Sequence, residues 1–335
     1  MNKEELKRLE EIKEIQERNL LVFSQVALYL NDAPCTVTRE IIEEITGGSK
    51  SLEEYSYVMF LANIFTDDNK LANELLREYY VKSVKKLDEQ EYYNNPYYKN
   101  IKIPNKKIGK WTLGYQSYKP YEAFIRDDII RDGYKEIPRI GYFDKEFTFP
   151  TVFENDIEWM AIKPNEIETM KKPIQNAKGN TLVYGLGLGY FAYMISLKEE
   201  VSNITIIERD ESVIALFEGY ILPQFVNKHK IKIIRSDAFD YAKKAGEFGY
   251  DYVFVDLWHD VSDGVELYIK MKKYEENLQN AQFDYWIEES ILSSARARIF
   301  DAIYKKIKGN NLNKSIDEID EILQKKYLKN FLKNF

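Results

Sequence analysis

From residue 180 onward, short apolar runs alternate with amphipathic stretches. The runs at 181–184, 204–207, 231–234, 252–255 and 283–287 are continuous rather than alternating, which is the pattern of strands buried on both faces. Between and after them, residues 190–198, 211–226, 239–245, 265–278 and 293–307 carry apolar positions at helical spacing. This alternation predicts a mostly parallel sheet covered by helices on both faces, an α/β class of fold.

The first 92 residues read differently. Leu6, Leu9, Ile12 and Ile15 recur at helical spacing among Glu and Lys. Thr38 is placed to cap a helix that stops at Gly47-Gly48, and Ser51-Leu-Glu-Glu54 has the form of a capping box for the next. Residues 68–90 predict a further helix. The run Glu91-Tyr-Tyr-Asn-Asn-Pro-Tyr-Tyr-Lys-Asn100 reads as a tyrosine-rich connector, its rings packed at a domain junction with wet hydroxyls, the alternative being stacking on bases or a ligand. Between 101 and 160, Gly, Pro and aromatic residues punctuate short alternations, which predicts hairpins. Pro164 suits the first turn of a helix that leads into Gly179. The resulting organisation is an N-terminal helical domain over 1–95, acting as a lid or as a reader of substrate or partner. It is followed by a connector with hairpins over 96–172, a sheet domain over 173–312 and a C-terminal helix over 313–335.

Composition narrows the function classes. A chain of 335 residues with 44% hydrophobic residues can bury a sizeable core, and its net charge of −7 argues against general nucleic-acid binding. Cys35 is the only cysteine and His229 and His259 the only histidines, so neither a disulfide nor a cysteine- or histidine-rich metal site is expected. The apolar stretch at 20–30 is too short to span a bilayer, and no signal-peptide pattern opens the sequence. The expectation is a cytoplasmic protein without membrane or nucleic-acid partners, with a homo-oligomer left open.

Chemistry concentrates where the predicted strands end. The first is followed by Gly185-Leu-Gly-Leu-Gly189, a turn whose glycines allow tight bending and close approach of a ligand, opening a helix. The second is followed by Glu208, the third by Asp237-Ala238, the fourth by Asp256 and the fifth by Glu288-Glu289. Carboxylates at such an edge are costly without partners, which a ligand bearing hydroxyls or a cationic centre would supply. Glu208 lies 23 residues beyond Gly185, near the spacing of about 20 at which an acid binds ribose hydroxyls. The competing reading is a helix-starting acid, a task for which Asp210 is better placed. Asp237 is either a plain N-cap or an acceptor for an adenine amino group. Asp256 would face the reacting centre. Trp258 and His259 follow it, an aromatic face and a titratable base. Tyr190 stands where a dinucleotide motif would need its third glycine, which disfavours NAD, and no Gly-Lys-Ser/Thr follows the turn, which excludes a P-loop.

Over about 150–290, these motifs together resemble the class I S-adenosylmethionine-dependent methyltransferases, a Rossmann-like family, and within them the spermidine-synthase-like branch. The resemblance implies S-adenosyl-L-methionine as cofactor. It assigns Gly185, Gly187 and Gly189 to the methionine part, Glu208 to the ribose, Asp237 and Ala238 to the adenine, and Asp256 to the sulfonium and substrate. Asp256 and His259 are then the expected catalytic residues, with no metal. The acid common two residues before the first glycine is replaced by Val183, and no sixth or seventh strand is evident. The methyl acceptor, a small molecule or a protein, is open. Two alternatives stand beside it. One is an aminopropyltransferase, although its usual Asp-Ser-x-Asp-Pro run is replaced by Asp256-Leu-Trp-His-Asp260. The other is a Rossmann module that binds cofactor or partner without catalysis.

Overall fold

The computed structural model describes residues 2–66, 68–309 and 314–333. Its strands are β1 (Val84–Lys86), β2 (Lys106–Ile108), β3 (Trp111–Tyr118), β4 (Phe124–Asp132), β5 (Lys135–Tyr142) and β6 (Phe147–Glu154). They continue with β7 (Ile157–Ala161), β8 (Gly179–Tyr184), β9 (Val201–Glu208), β10 (Ile231–Arg235), β11 (Tyr252–Val255) and β12 (Gln282–Tyr285). The chain divides into two compact units. One comprises residues 1–89, 117–147 and 293–328, and the other 90–116, 148–292 and 329–335. Among the described residues no helix is long and apolar enough to cross a membrane.

The second unit carries a five-stranded sheet ordered β10-β9-β8-β11-β12, every pair parallel. In sequence rank this is 3-2-1-4-5, so the fold is Rossmann-like, and the order reverses at β8, the strand that runs into the glycine turn. All four residues of β11 are buried, as its continuous apolar run requires. Among the described residues the chain after β12 is helical and the sheet has five strands. A second, four-stranded sheet ordered β2-β3-β6-β7 contains the antiparallel hairpins β2–β3 and β6–β7.

The first unit joins helices Lys3–Asp32, Arg39–Thr46, Glu53–Phe65 and Asn69–Leu75 to the three-stranded sheet β1-β5-β4. Its core contains Val22, Leu61, Tyr79 and Ile140, and the rings of Tyr57 and Tyr142 stack at 4.1 Å. A second cluster, Leu9, Ile12, Phe300, Ile307, Ile319 and Leu323, is built from opposite ends of the sequence.

Several local expectations are corrected. Thr38 does cap its helix, and Gly47 ends it at φ 59°. Ser51 forms no capping box: Leu52 is the N-cap of Glu53–Phe65 and makes no side-chain cap. The helix expected over 68–90 runs through a π turn at Leu76–Tyr80 and gives way to β1, whose Val84 is buried beside Ile140. The connector is two short helices, Glu89–Tyr93 and Pro96–Asn100, and its hydroxyls are engaged rather than wet. Tyr92 donates to Glu168 at 3.2 Å, Tyr98 to the Ile162 carbonyl at 2.5 Å and buried Tyr97 to the Leu188 carbonyl at 2.6 Å. The helix expected over 211–226 is α-helical only over Glu211–Leu216, continuing as a π turn at Phe217–Ile221. The last helix of the sheet domain starts earlier than expected, at Glu288. The C-terminal segment is two helices, Ile316–Leu323 and Lys325–Lys333; positions 313, 334 and 335 of that prediction lie outside the described residues.

Candidate functional site

The carboxyl edge of the parallel sheet is laced by backbone hydrogen bonds that run one residue past the strands. The amide of Gly185 donates to the Ile207 carbonyl at 3.0 Å, Asp256 to Tyr184 at 2.9 Å, Ser236 to Glu208 at 3.0 Å and Trp286 to Val255 at 3.0 Å. The glycine turn, Glu208 and Asp256 therefore lie side by side along one edge.

Each glycine of the turn has a positive φ: 99° at Gly185, 50° at Gly187 and 72° at Gly189. A side chain at Gly185 would place its Cβ 2.0 Å from the Asp256 carbonyl oxygen, and one at Gly189 would meet the Phe217 ring at 2.2 Å. Phe217 opens the π turn, so that irregularity seats the ring against the turn. Gly187 has more room, with Met160 Cε 3.0 Å from its would-be Cβ. Replacing Gly187 by Ala forces an L-residue into the left-handed region and displaces the Met160 tip. It should cost about 1–2 kcal/mol in chemical denaturation, and a cost near zero would show the turn to be less constrained than drawn.

Glu208 is half-buried. Its Oε1 accepts from the amides of Arg209 at 2.7 Å and Asp210 at 2.8 Å, and the Leu186 backbone in the glycine turn also hydrogen-bonds the carboxylate. Burial raises its pKa above the ordinary carboxylate range, against the opposing pull of those backbone donors. Asp210 takes the capping task, accepting from Ser212 at 2.8 Å and from the Trp111 indole at 2.9 Å. Asp237 is exposed and caps Ala238–Ala242, its Oδ1 accepting from Phe239 at 2.8 Å and Asp240 at 3.1 Å; Ala238 is buried.

Asp256 is pushed by burial to a pKa of about 7. His259 stands apart in character: its side chain is half exposed, Nδ1 is 3.6 Å from the Asp260 carboxylate, and its ring lies 5.5 Å from that of Trp159. Asp260 and Asp263 form a capping box for Val261–Lys272. Trp258 is buried and stacks on Tyr285, and its indole N–H has no partner among the described residues. The acid after β12 sits farther out than expected. Trp286 and Ile287, the latter at a strained φ of 44°, precede Glu288, which accepts from Tyr268 at 3.0 Å and Lys329 at 2.6 Å.

A residue absent from the sequence reading joins this group. Glu166, in the first turn of helix Pro164–Asn176, is only 5% exposed, and its Oε2 has no hydrogen-bond partner among the described residues. Its pKa lies well above the ordinary range, first through burial and then through the charge of Asp256, with Lys163 opposing. The helix is tied to the sheet edge by Trp286, whose indole donates to Thr169 Oγ1 at 3.1 Å, while that hydroxyl reaches the Glu166 carbonyl at 3.3 Å. In sequence Glu166 reads as an ordinary first-turn acid on a helix, and nothing there signals its burial. The edge thus combines a glycine turn, a half-buried carboxylate held by backbone amides, and the buried carboxyl of Glu166 in electrostatic contact with the partly buried carboxyl of Asp256. No family model matches this chain, and no curated protein matches it.

Proposed function

We propose that the chain is an S-adenosylmethionine-dependent methyltransferase acting on a small molecule or a protein. The observation that carries this reading is the joint position of the glycine turn, Glu208 and Asp256 on adjacent strand ends at the point where the strand order reverses. The buried polar atoms without partners at Glu166 and Trp258 fit a ligand with polar and cationic groups. In this reading Glu208 accepts from the ribose hydroxyls, the glycine turn lies against the methionine part, and Asp237 and Ala238 border the adenine. The cofactor supplies a methyl group already activated on a sulfonium. Asp256 orients the acceptor and takes its proton, for which a carboxyl poised near neutrality is suited. Exposed His259 is the second candidate for that proton.

Calorimetric titration with S-adenosylhomocysteine tests the assignment. Wild type should bind, and Glu208→Ala should lose tenfold or more in affinity, on the order of one to two charge-assisted hydrogen bonds. Unchanged affinity in Glu208→Ala would remove the ribose assignment. Binding without turnover across an acceptor screen would favour the non-catalytic module.

A further inference from the structure

The glycine turn brings no acid of its own. From Val183 to Gly189 the side chains are Val183, Tyr184, Leu186 and Leu188, all buried. A ligand whose amino-acid end lies on this turn presents a primary ammonium with three donors, and a buried ammonium needs an anionic acceptor. We propose that Glu166 supplies that acceptor from the neighbouring helix, binding the α-ammonium group of the cofactor in place of an acid on the turn. The inference rests on the cofactor reading above.

Three features converge on Glu166. Its carboxyl is buried and Oε2 has no partner among the described residues, a state that is costly in the protein alone and is relieved by a donor from a ligand. The nearby cation relieves it only through space, since the Lys163 ammonium donates to Glu158 at 2.5 Å. The location is also fixed. Asp256, whose carbonyl oxygen lies against Gly185, is close enough for its charge to act on Glu166, and the Trp286–Thr169 bond anchors the helix to the same edge. The charge of Glu166 further reaches the phenol of Tyr190, the residue directly after Gly189. Glu166 is therefore within electrostatic reach of Asp256, beside Gly185, and of Tyr190, after Gly189. A cation there also offsets the repulsion between Glu166 and Asp256, which a neutral hydroxyl would not do.

The experiment compares two nucleoside thioethers on wild type and Glu166→Gln by calorimetry. They are S-adenosylhomocysteine, which carries the ammonium, and 5′-methylthioadenosine, which lacks the amino-acid end. The expected result is a roughly 10- to 100-fold loss for S-adenosylhomocysteine in Glu166→Gln, with affinity for methylthioadenosine within about twofold of wild type. The thermal midpoint of the ligand-free variant should equal or exceed that of wild type, because a repelled carboxyl has been removed. Equal affinity of the variant for S-adenosylhomocysteine overturns the proposal, as does an equal loss for both ligands, which would mark a structural role. If an acceptor amine is the true ammonium, methylation shows it: KM for the acceptor rises in the variant while S-adenosylhomocysteine affinity stays, which also overturns it. Wild type binding neither compound would instead overturn the cofactor reading, and the present inference with it.

Discussion

Replacing Arg296 by Met should destabilise the first compact unit by about 3–5 kcal/mol, the cost of leaving a buried charge without its partner. Arg296 and Glu136 are each 1% exposed, and Arg296 Nη1 pairs with Glu136 Oε1. The pair is embedded in further bonds. Ser293 donates to Glu136 Oε2 at 2.6 Å, Arg296 Nε donates to the Leu323 carbonyl at 3.0 Å, and the Glu136 amide donates to Asn19 Oδ1 at 3.1 Å. Asn19 in turn accepts from Tyr79 at 2.9 Å and donates to the Tyr134 carbonyl at 2.8 Å. The network joins the first helix, the middle strands and the late helices, three distant parts of the sequence. Arg296→Met alone strands Glu136 in a low-dielectric interior. The double variant Arg296→Met, Glu136→Gln removes both charges and should recover most of the loss, since a buried pair can often be exchanged for neutral groups at little net cost. Urea denaturation of the two variants and wild type measures this. A single-variant cost below about 1 kcal/mol, the range of an exposed pair, would show that water reaches the site.

That network also shows where sequence reading stops. The parallel sheet was legible because its strands are continuous apolar runs with helices between: 252–255 was placed to the residue. The glycine turn was legible because only glycine tolerates three positive φ values in five residues. The acids after β9 and β11 followed from where strands end. What was not legible is non-local. β1 is Val-Lys-Lys, which has no strand signal and exists because it pairs with β5 more than fifty residues away. Ser51 has the right neighbours for a capping box, yet Leu52 is the N-cap and the helix starts at Glu53. Glu166 has the sequence context of a solvated first-turn acid. Its helix packs on Tyr190–Ser196 and is tied by Thr169 to Trp286 just past β12, contacts that no local window contains. The same holds for Arg296 and Glu136, which look like surface charges on a helix and a strand until the chain closes around them.

The ligand-free protein should be less stable at pH 8 than at pH 5 by an amount that Asp256→Asn removes. In the folded state the Asp256 carboxyl has a pKa of about 7, against 3.8 for the ordinary side chain. The folded protein therefore keeps a proton that the unfolded chain gives up. Stability falls as pH rises from about 4 towards 7 and then levels off. The full shift is roughly three pKa units, so the loss approaches about 4 kcal/mol at 1.36 kcal/mol per unit. Glu166, also raised, acts in the same direction, while Lys163 opposes it and Glu158 reinforces it. Asparagine keeps the shape of Asp256 without the ionisation. Asp256→Asn should thus be more stable than wild type by about 2–4 kcal/mol at pH 8 and nearly equal to it at pH 4. Denaturant midpoints at both pH values decide it: a variant less stable than wild type at pH 8 would mean that the carboxylate is satisfied within the protein. Wild type is disadvantaged only while the pocket holds no cation. A bound ammonium or sulfonium would lower both carboxyl pKa values, so the ligand should stabilise wild type more at pH 8 than at pH 5, and Asp256→Asn less in proportion. On the proposed cofactor reading, removing Asp256 would then raise the stability of the free protein while removing the carboxyl that orients the acceptor, the trade expected where a site holds groups that the fold alone does not satisfy.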